Sequence, residues 1–251
     1  MPEIAGDTHL QSQVLEALTD AVNYQRWLTE LCRPYLGDDP IELGSGIGDF
    51  AAGWLTSVPR ITVTEADGSR LAVLTERFAT DPRVRVRPLF LPTAERAGHS
   101  AAVSLNVLEH IADDVAALRS VAGMVRPGGA VVTIVPAFPA AMSRFDRSIG
   151  HFRRYTTRSM SAALIDAGLR LERVQYINSV GLLNWYLACR LLRMTPRNGV
   201  LLRTYDRIVV PTVRVLERRW RPPFGQSVFA VARTPAGGGP DADGVVRPVP
   251  P

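Results

Sequence analysis

Three glycines and two acidic residues stand at spacings that could hold a ligand containing a ribose. Gly44, Gly46 and Gly48 follow a short apolar run in IELGSGIGDF (41–50). A glycine-rich turn between a strand and a helix exposes backbone N–H groups to a polar or anionic ligand. Glu65 ends the next predicted strand, about 20 residues further on, where a carboxylate can accept hydrogen bonds from both hydroxyls of a ribose.

The glycine spacing argues against a dinucleotide. A pyrophosphate-binding loop reads G-x-G-x-x-G, whereas this loop reads G-x-G-x-G, so its third glycine is misplaced for a pyrophosphate. Glu42 precedes the first glycine by two residues and can bind an ammonium group or a water beneath the loop, where a pyrophosphate would be disfavoured. S-adenosylmethionine, with a ribose, an amino-acid end and a sulfonium charge, fits these residues better.

Strand and helix patterns alternate around this loop. Apolar spacing predicts one or two leading helices over 8–36. Five short apolar or alternating runs predict strands separated by helical segments: PIELG, RITVTE, RVRVRPL, AAVSLN and GAVVTIVP. This order predicts an α/β protein with a parallel, doubly wound sheet.

The pattern changes after the fifth predicted strand. Residues 137–155 read as a loop-like insertion that mixes aromatic and charged side chains, and 156–169 read as a capped helix. Residues 170–178 predict a sixth strand and 226–234 a closing strand, with two apolar helical segments between them.

Four motifs occur in an order and at spacings that are typical of one family. They are IELGSGIGDF, Glu65, LNVLEHI (105–111) and VRPGGAVVTIVP (125–136). From about Asn23 to about Thr234 the chain resembles the class I S-adenosylmethionine-dependent methyltransferases. NYQRWL, GHFRRYT and PPFGQSVFAV resemble a bacterial small-molecule subgroup with an HFRRY-type insertion. The resemblance implies S-adenosyl-L-methionine as the cofactor.

The resemblance also implies an architecture. We expect a Rossmann-like, doubly wound, seven-stranded sheet, parallel except for an antiparallel seventh strand. N-terminal helices over 1–36 would cap a methyltransferase domain over 37–234, which carries a helical insertion at about 179–221 before the last strand. The Pro- and Gly-rich tail, 235–251, is expected to be disordered.

The family pattern assigns roles to particular residues. The resemblance implies that the cofactor is bound by Glu42, Gly44, Gly46, Gly48, Glu65, Asn106 and Val107. Glu65 would hold the ribose, and Asn106 and Val107 would line the methyl-transfer site at the end of the fourth strand. An acid that often holds the adenine amine is missing after the third strand, where only Leu89 or Phe90 is available. Adenine recognition is therefore expected to be apolar or through backbone groups.

Candidate catalytic residues follow the fourth and fifth strands. Methyl transfer from a sulfonium is a one-step displacement, so the protein supplies alignment and, for an alcohol acceptor, a base. The candidates are His110, Asp146, His151 and Tyr155. Each has a structural alternative, because His110 could cap the next helix and HFRRY could be an anchor.

The motif NVLEH raises the question of a metal. Some related methyltransferases carry Glu-x-x-Glu-His at this point and bind Mg²⁺ or another divalent ion. Here Asn106 replaces the first glutamate, and Glu109 and His110 do not make a site unless His151 or Asp146 joins them. We therefore predict no metal site.

Composition limits the chemistry and suggests partners. The chain has no lysine, so all 29 basic residues are arginine, which excludes Schiff-base and phosphate-loop lysine chemistry. Cys32 and Cys189 are too few and too far apart for a disulfide framework or a zinc–cysteine site. From residue 181 onward eleven arginines accompany four acidic residues, in apolar segments that could form a cap, a dimer face, an acceptor pocket or a peripheral membrane contact.

These observations predict an enzyme that moves a methyl group from S-adenosylmethionine to an O or N atom. The acceptor would be a small-molecule or sugar-like metabolite, with a lipid-linked one as an option. The alternatives are an NAD-dependent oxidoreductase on a Rossmann fold and a non-catalytic, methyltransferase-like partner subunit. A nucleic-acid acceptor is disfavoured, because the Asn/Asp-Pro-Pro-Tyr signature is absent after the fourth strand.

Cellular location and assembly are also predicted. No signal pattern stands at the N-terminus, and no apolar run reaches the roughly 18 residues of a spanning helix. We expect a cytoplasmic monomer or homodimer, with membrane association through the C-terminal helices as a further option.

Overall fold

Seven strands form one sheet in the computed structural model, which describes residues 6–12, 21–187 and 200–236. The strands are β1 Ile41–Leu43, β2 Ile61–Glu65, β3 Val84–Pro88, β4 His99–Leu105, β5 Val125–Pro136, β6 Arg170–Ile177 and β7 Ser227–Arg233. Their order is β3-β2-β1-β4-β5-β7-β6. Pairs among β1 to β5 are parallel, whereas β7 is antiparallel to both β5 and β6. The predicted doubly wound sheet with an antiparallel seventh strand is confirmed.

Helices cover both faces of this sheet. They are α1 Val22–Cys32, α2 Asp49–Trp54, α3 Gly68–Phe78, α4 Asp114–Met124, α5 Arg144–Ser148, α6 Thr157–Asp166, α7 Ser179–Trp185, α8 Val200–Thr204 and α9 Val210–Arg219. A π-helical turn, Tyr205–Val209, joins α8 to α9. Residues 8–12 are helical as predicted, but 13–20 of the leading segment, 188–199 of the predicted insertion and 237–251 of the predicted tail lie outside the described residues.

The central strands are apolar on both faces because helices cover both. Along β7, Phe229 and Val231 pack into one core with Trp27 and Trp54. The alternate residues of β7, including Val228, point to the opposite core. This alternation is the period of two that an extended strand imposes, and burial of both faces is typical of parallel sheets.

The insertion after β5 is more ordered than the loop that the sequence predicts. It contains a 3₁₀ turn, Pro139–Ala141, and the short helix α5. Ser143 and Asp146 cap α5 reciprocally, which is a local reason for a helix there. A parallel bridge between Ala137 and Tyr155 returns the end of the insertion to the edge of β5.

Two acids near the C-terminal end, the buried Asp206 and the half-buried Glu217, cap other helices. Asp206 accepts hydrogen bonds from the backbone N–H of Tyr24 at 2.9 Å and of Asn23 at 3.0 Å, at the start of α1. Glu217 accepts from the N–H of Asn178 at 2.9 Å and of Ser179 at 2.8 Å, at the start of α7. These contacts satisfy free N–H groups at two helix starts and attach the C-terminal helices to the domain.

Within the described ranges, no helix combines the length and apolar character that crossing a membrane would require.

Candidate cofactor and acceptor site

A cavity of about 420 Å³ opens at the carboxyl ends of β1, β2 and β4. This is the edge at which open α/β sheets bind ligands. Nine of the predicted site residues line it: Glu42, Gly44, Gly46, Glu65, Asn106, Val107, His110, Asp146 and His151. Two predicted residues, Gly48 and Tyr155, are not among its lining residues.

The glycine loop depends on left-handed backbone and close packing. Gly44 has a φ of 63°, Gly46 of 57° and Gly48 of 86°, a region that residues with a Cβ rarely adopt. A Cβ on Gly44 would lie 2.7 Å from Val107 Cγ2, and one on Gly48 would lie 2.6 Å from Phe78 Cε2. Gly48 therefore serves the turn into α2, whereas Gly44 and Gly46 face the cavity.

Backbone donors hold the carboxylate of Glu65. Its Oε1 accepts hydrogen bonds from the N–H of Ala66 at 2.9 Å and of Asp67 at 3.0 Å, and from Arg70 Nη2 at 3.3 Å. Within the part of the chain that the structure describes, its Oε2 accepts only from the N–H of Gly46, at 2.9 Å, which leaves a lone pair for a ligand hydroxyl. Arg70 is a cavity residue that sequence reasoning missed, because nothing in the pattern of α3 marks its arginine as buried.

Glu42 lies beneath the loop as a buried acid. Burial raises the pKa of its carboxyl to about 8, against the opposing effect of a hydrogen bond with Ser45. Glu42 Oε2 has no hydrogen-bond partner among the described residues. A carboxyl in this position favours a cationic ligand group, because such a group would stabilise its charged form.

The cavity wall near the third strand is apolar. Leu89, Phe90 and Leu91 all line the cavity. Their position is compatible with the expectation that adenine is recognised by apolar or backbone groups. Across the cavity, Asn106 has a φ of 54°, a left-handed conformation that asparagine tolerates better than most residues.

Asp146 organises the insertion. One oxygen, Oδ2, accepts hydrogen bonds from the backbone N–H of Ser143 at 2.6 Å and from its hydroxyl at 2.7 Å. The other, Oδ1, lies 2.7 Å from Arg154 Nη2 and 3.0 Å from His151 Nδ1. Burial favours a higher pKa for Asp146, but the close contact of His151 and the hydrogen bonds from Arg154 and Ser143 outweigh it and hold the pKa below the usual range. Asp146 is thus a carboxylate that positions His151.

Glu109, His110 and His151 form a polar cluster in the same cavity, with the glutamate buried and the two histidines half-buried. Glu109 is fully buried, and neither of its carboxylate oxygens has a hydrogen-bond partner among the described residues. His151 Nε2 lies 3.9 Å from Glu109 Oε1, and the rings of His110 and His151 meet edge to face with centroids 4.6 Å apart. The N–H of Phe152 donates to the carbonyl of Glu109 at 2.8 Å, which holds the insertion against the end of β4.

Burial shifts the pKa values within this cluster in opposite directions. It raises the pKa of Glu109 to about 7, although the neighbouring His151 lowers it. Burial, with smaller contributions from His151 and Arg70, lowers the pKa of His110 to about 3. His110 is therefore a neutral imidazole near pH 7, with a lone pair available on one ring nitrogen.

Tyr155 lies on the other side of the insertion. Its hydroxyl donates to Asp114 Oδ2 at 2.7 Å, and its ring packs in the core beneath α4 and α6. Burial and the neighbouring Asp114 raise the pKa of its phenol. The position of Tyr155 indicates a structural contact and gives no support to the catalytic role that the sequence suggested.

Comparisons with known proteins relate part of this chain to methyltransferases. Residues 41–131 match the model of a methyltransferase domain. Among curated proteins, the uncharacterized methyltransferases Rv0089 of Mycobacterium tuberculosis (strain ATCC 25618 / H37Rv) and Mb0092 of Mycobacterium bovis are each 38% identical over 99 residues. That alignment covers 38% of this chain and 50% of each relative, so it spans about half the length of these relatives.

Solved structures share the fold at low identity. Geranyl diphosphate methyltransferase in complex with SAM aligns with a TM-score of 0.60 and 16% identity, covering 83% of this chain and 85% of that one. The [4+2]-cyclase SpnF aligns with a TM-score of 0.59 and 17% identity, covering 94% of this chain and 98% of that one. The family match ends before the HFRRY insertion, so the subgroup stays a prediction. Residues 41–131 are thus similar to a methyltransferase domain, and the seven-stranded sheet has the fold of these solved structures.

Proposed function

We propose that this protein transfers a methyl group from S-adenosylmethionine to an O or N atom of a small-molecule or sugar-like metabolite. One observation carries the proposal: a single cavity contains both the glycine loop with Glu65 and the polar cluster of Glu109, His110 and His151. A cofactor on the loop and an acceptor at the cluster would therefore share one space, as a direct displacement requires.

The cofactor end of the cavity suits S-adenosylmethionine group by group. The free lone pair on Glu65 Oε2 would accept a ribose hydroxyl, and the buried carboxyl of Glu42 would face the amino-acid end. Leu89 and Phe90 would contact the adenine, and Asn106 and Val107 would lie beside the methyl group. Gly48 supports the loop without touching the ligand.

The chemistry needs an activated acceptor. The acceptor atom forms a bond to the methyl carbon while the carbon–sulfur bond breaks, and the electron pair returns to sulfur, leaving S-adenosylhomocysteine. A hydroxyl acceptor must also lose its proton. A group of one buried carboxyl and two half-buried imidazoles can promote that loss by accepting the proton, or by holding a cation that lowers the pKa of the hydroxyl.

Two other functions remain as alternatives to test. The family match favours methyl transfer over an NAD-dependent oxidoreductase, and the cluster at the cavity argues for a catalytic subunit over a non-catalytic partner. Fold alone does not decide the reaction, because the [4+2]-cyclase SpnF shares it.

Calorimetric titration of the full chain with S-adenosylhomocysteine and with NAD tests the cofactor. We expect binding of S-adenosylhomocysteine and none of NAD, and tight binding of NAD alone would overturn the proposal. Incubation with methyl-labelled S-adenosylmethionine and fractionated metabolites then tests turnover. Label transferred to an extractable acceptor supports the enzyme, whereas cofactor binding without transfer to any fraction supports the partner-subunit alternative.

Exposed apolar side chains on the C-terminal helices support peripheral membrane contact and a lipid-linked acceptor. Leu183, Ile208, Leu216 and Trp220 are each at least half exposed, close in sequence to several arginines. Such a surface is typical of helices that lie on anionic bilayers. Sedimentation with vesicles of anionic and of zwitterionic lipid at low salt tests it: binding to anionic vesicles supports the contact, and no binding excludes it.

A further inference from the structure

We propose that Glu109, His110 and His151 bind one divalent transition-metal ion, such as Zn²⁺, which would hold and activate the acceptor oxygen. The binding site stands on its own geometry, while its role in activation rests on the proposed methyl transfer. From the sequence we predicted no metal site, because the sequence does not show whether a third ligand lies near Glu109 and His110.

The third ligand comes from the insertion. One ligand atom from each of the three residues lies within 4.8 Å of the other two. The 3.9 Å between His151 Nε2 and Glu109 Oε1 is too long for a hydrogen bond, but a small shift would let both atoms contact one cation. The insertion therefore completes a set that the end of β4 only begins.

Glu109 has no hydrogen-bond partner in the described ranges. Its side chain is fully buried, and both oxygens are without a hydrogen bond among the described residues. An isolated carboxylate is costly to bury, so native proteins usually pair such groups or use them to coordinate metals. Glu65 and Asp146 at the same edge each accept several hydrogen bonds, whereas Glu42 leaves one oxygen, Oε2, without a partner among the described residues.

Both imidazoles are oriented by partners outside the cluster. Asp146 Oδ1 lies 3.0 Å from His151 Nδ1 as an ion-pair contact without hydrogen-bond geometry, and His151 Nε2 lies on the side of Glu109, 3.9 Å from its Oε1. The backbone of Ile149 and Gly150 lies beside the ring of His110 and favours a higher pKa for it, while His110 Nδ1 has no hydrogen-bond partner among the described residues. A carboxylate or carbonyl behind each ligating histidine is the usual arrangement at metal sites, because it fixes the tautomer and the ring direction.

The ligand set selects the kind of ion. Two imidazoles and one carboxylate suit Zn²⁺ and other divalent transition metals, whereas Mg²⁺ prefers oxygen ligands and Asn106 removes the second carboxylate from this motif. Three protein ligands leave a coordination position open, as in catalytic zinc sites.

Charge supports an anionic fourth ligand. Glu109, Asp146 and Arg154 together carry one negative charge, so a divalent ion leaves one positive charge that an acceptor alkoxide would neutralise. On binding, the acceptor O–H would release its proton to water. The oxygen would then bond to the methyl carbon as the carbon–sulfur pair returns to sulfur.

Zinc titration of the metal-stripped full chain, in competition with a chromophoric chelator, tests the site. We expect one Zn²⁺ per chain, with no displacement by a large excess of Mg²⁺. Glu109→Gln should weaken Zn²⁺ binding at least tenfold, and Asp146→Asn should weaken it by about 10- to 100-fold through the orientation of His151. His9→Gln, which changes an exposed histidine, is the matched control and should bind Zn²⁺ like the unmodified chain.

Two results would overturn the metal site. One is the absence of stoichiometric Zn²⁺ binding, and the other is equal Zn²⁺ affinity in Glu109→Gln and the unmodified chain. Circular dichroism and S-adenosylhomocysteine binding of each variant separate lost ligands from lost folding. If the unmodified chain binds S-adenosylhomocysteine but not Zn²⁺, only the metal-site proposal is wrong. If it does not bind S-adenosylhomocysteine, the proposed function is wrong.

Discussion

Two buried carboxylates at opposite ends of the cavity, Glu65 and Glu109, differ in their hydrogen bonding. At the glycine loop, Glu65 accepts bonds from three backbone N–H groups and from Arg70. Where the insertion meets β4, Glu109 has no hydrogen-bond partner among the described residues. A carboxylate held by backbone donors is fixed before a ligand arrives, whereas one without donors requires a cation or proton to be stable. The difference separates a carboxylate that is held in place before binding, Glu65, from one that a bound cation would complete, Glu109.

The largest expected effect is loss of cofactor binding at the glycine loop. The double variant Gly46→Arg with Glu65→Ala should abolish S-adenosylhomocysteine binding in calorimetry. The arginine would fill the cavity from a left-handed backbone position, and the ribose acceptor would be gone. Gly98→Ala is the matched control, because a Cβ there meets nothing within 4 Å and the cavity does not include it. Survival of binding in the double variant would show that the cofactor lies elsewhere.

A large loss of stability is expected at the acceptor end from Asp146→Asn. This change leaves the buried Arg154 guanidinium without its carboxylate, which typically costs about 3–5 kcal/mol. Urea unfolding followed by circular dichroism measures the change, and Asp166→Asn, at an exposed position in α6, serves as the control. A loss no larger than that of the control would contradict the role of Asp146 in holding the insertion.

A smaller effect should appear in the pH dependence through Glu42. Because burial raises the folded pKa to about 8, the folded state binds more protons than the unfolded state between the ordinary pKa of a glutamate and pH 8. The free energy of unfolding should therefore fall with rising pH in this window, by at most about 1.4 kcal/mol per pH unit from this group. Glu42→Gln should remove that slope. If the free energy of unfolding, measured in urea, changed with pH in the same way in Glu42→Gln and the unmodified chain, Glu42 would not be a buried, protonated group.

The smallest change is expected from Tyr155→Phe. It removes one hydrogen bond to Asp114, which contributes about 1 kcal/mol, and leaves the ring in place. Affinity for S-adenosylhomocysteine and for Zn²⁺ should stay within experimental error of the unmodified chain. A loss of methyl transfer to an identified acceptor, with binding and folding intact, would restore the catalytic role that the sequence suggested.

The cofactor end could be predicted from sequence because its parts are local. Gly44, Gly46 and Glu65 follow neighbouring strands, and the carboxyl ends of neighbouring parallel strands meet at one edge. For the acceptor end, the sequence predicted candidate residues but not which of them lie in contact. His110 and His151 are separated by an insertion whose path depends on contacts such as the bond from Phe152 to Glu109.

The sequence by itself determined the sheet, the glycine loop and the place of Glu65 at the end of β2, since period-two and helical patterns and turn glycines act over a few residues. Tertiary structure alone decided which side chains of HFRRY face the cavity. Arg154 points into it, whereas the adjacent Tyr155 points to the opposite core, because the bridge to Ala137 makes this segment extended and alternates its side chains. It also decided that His151 meets Glu109 and His110, since the folded insertion sets that distance.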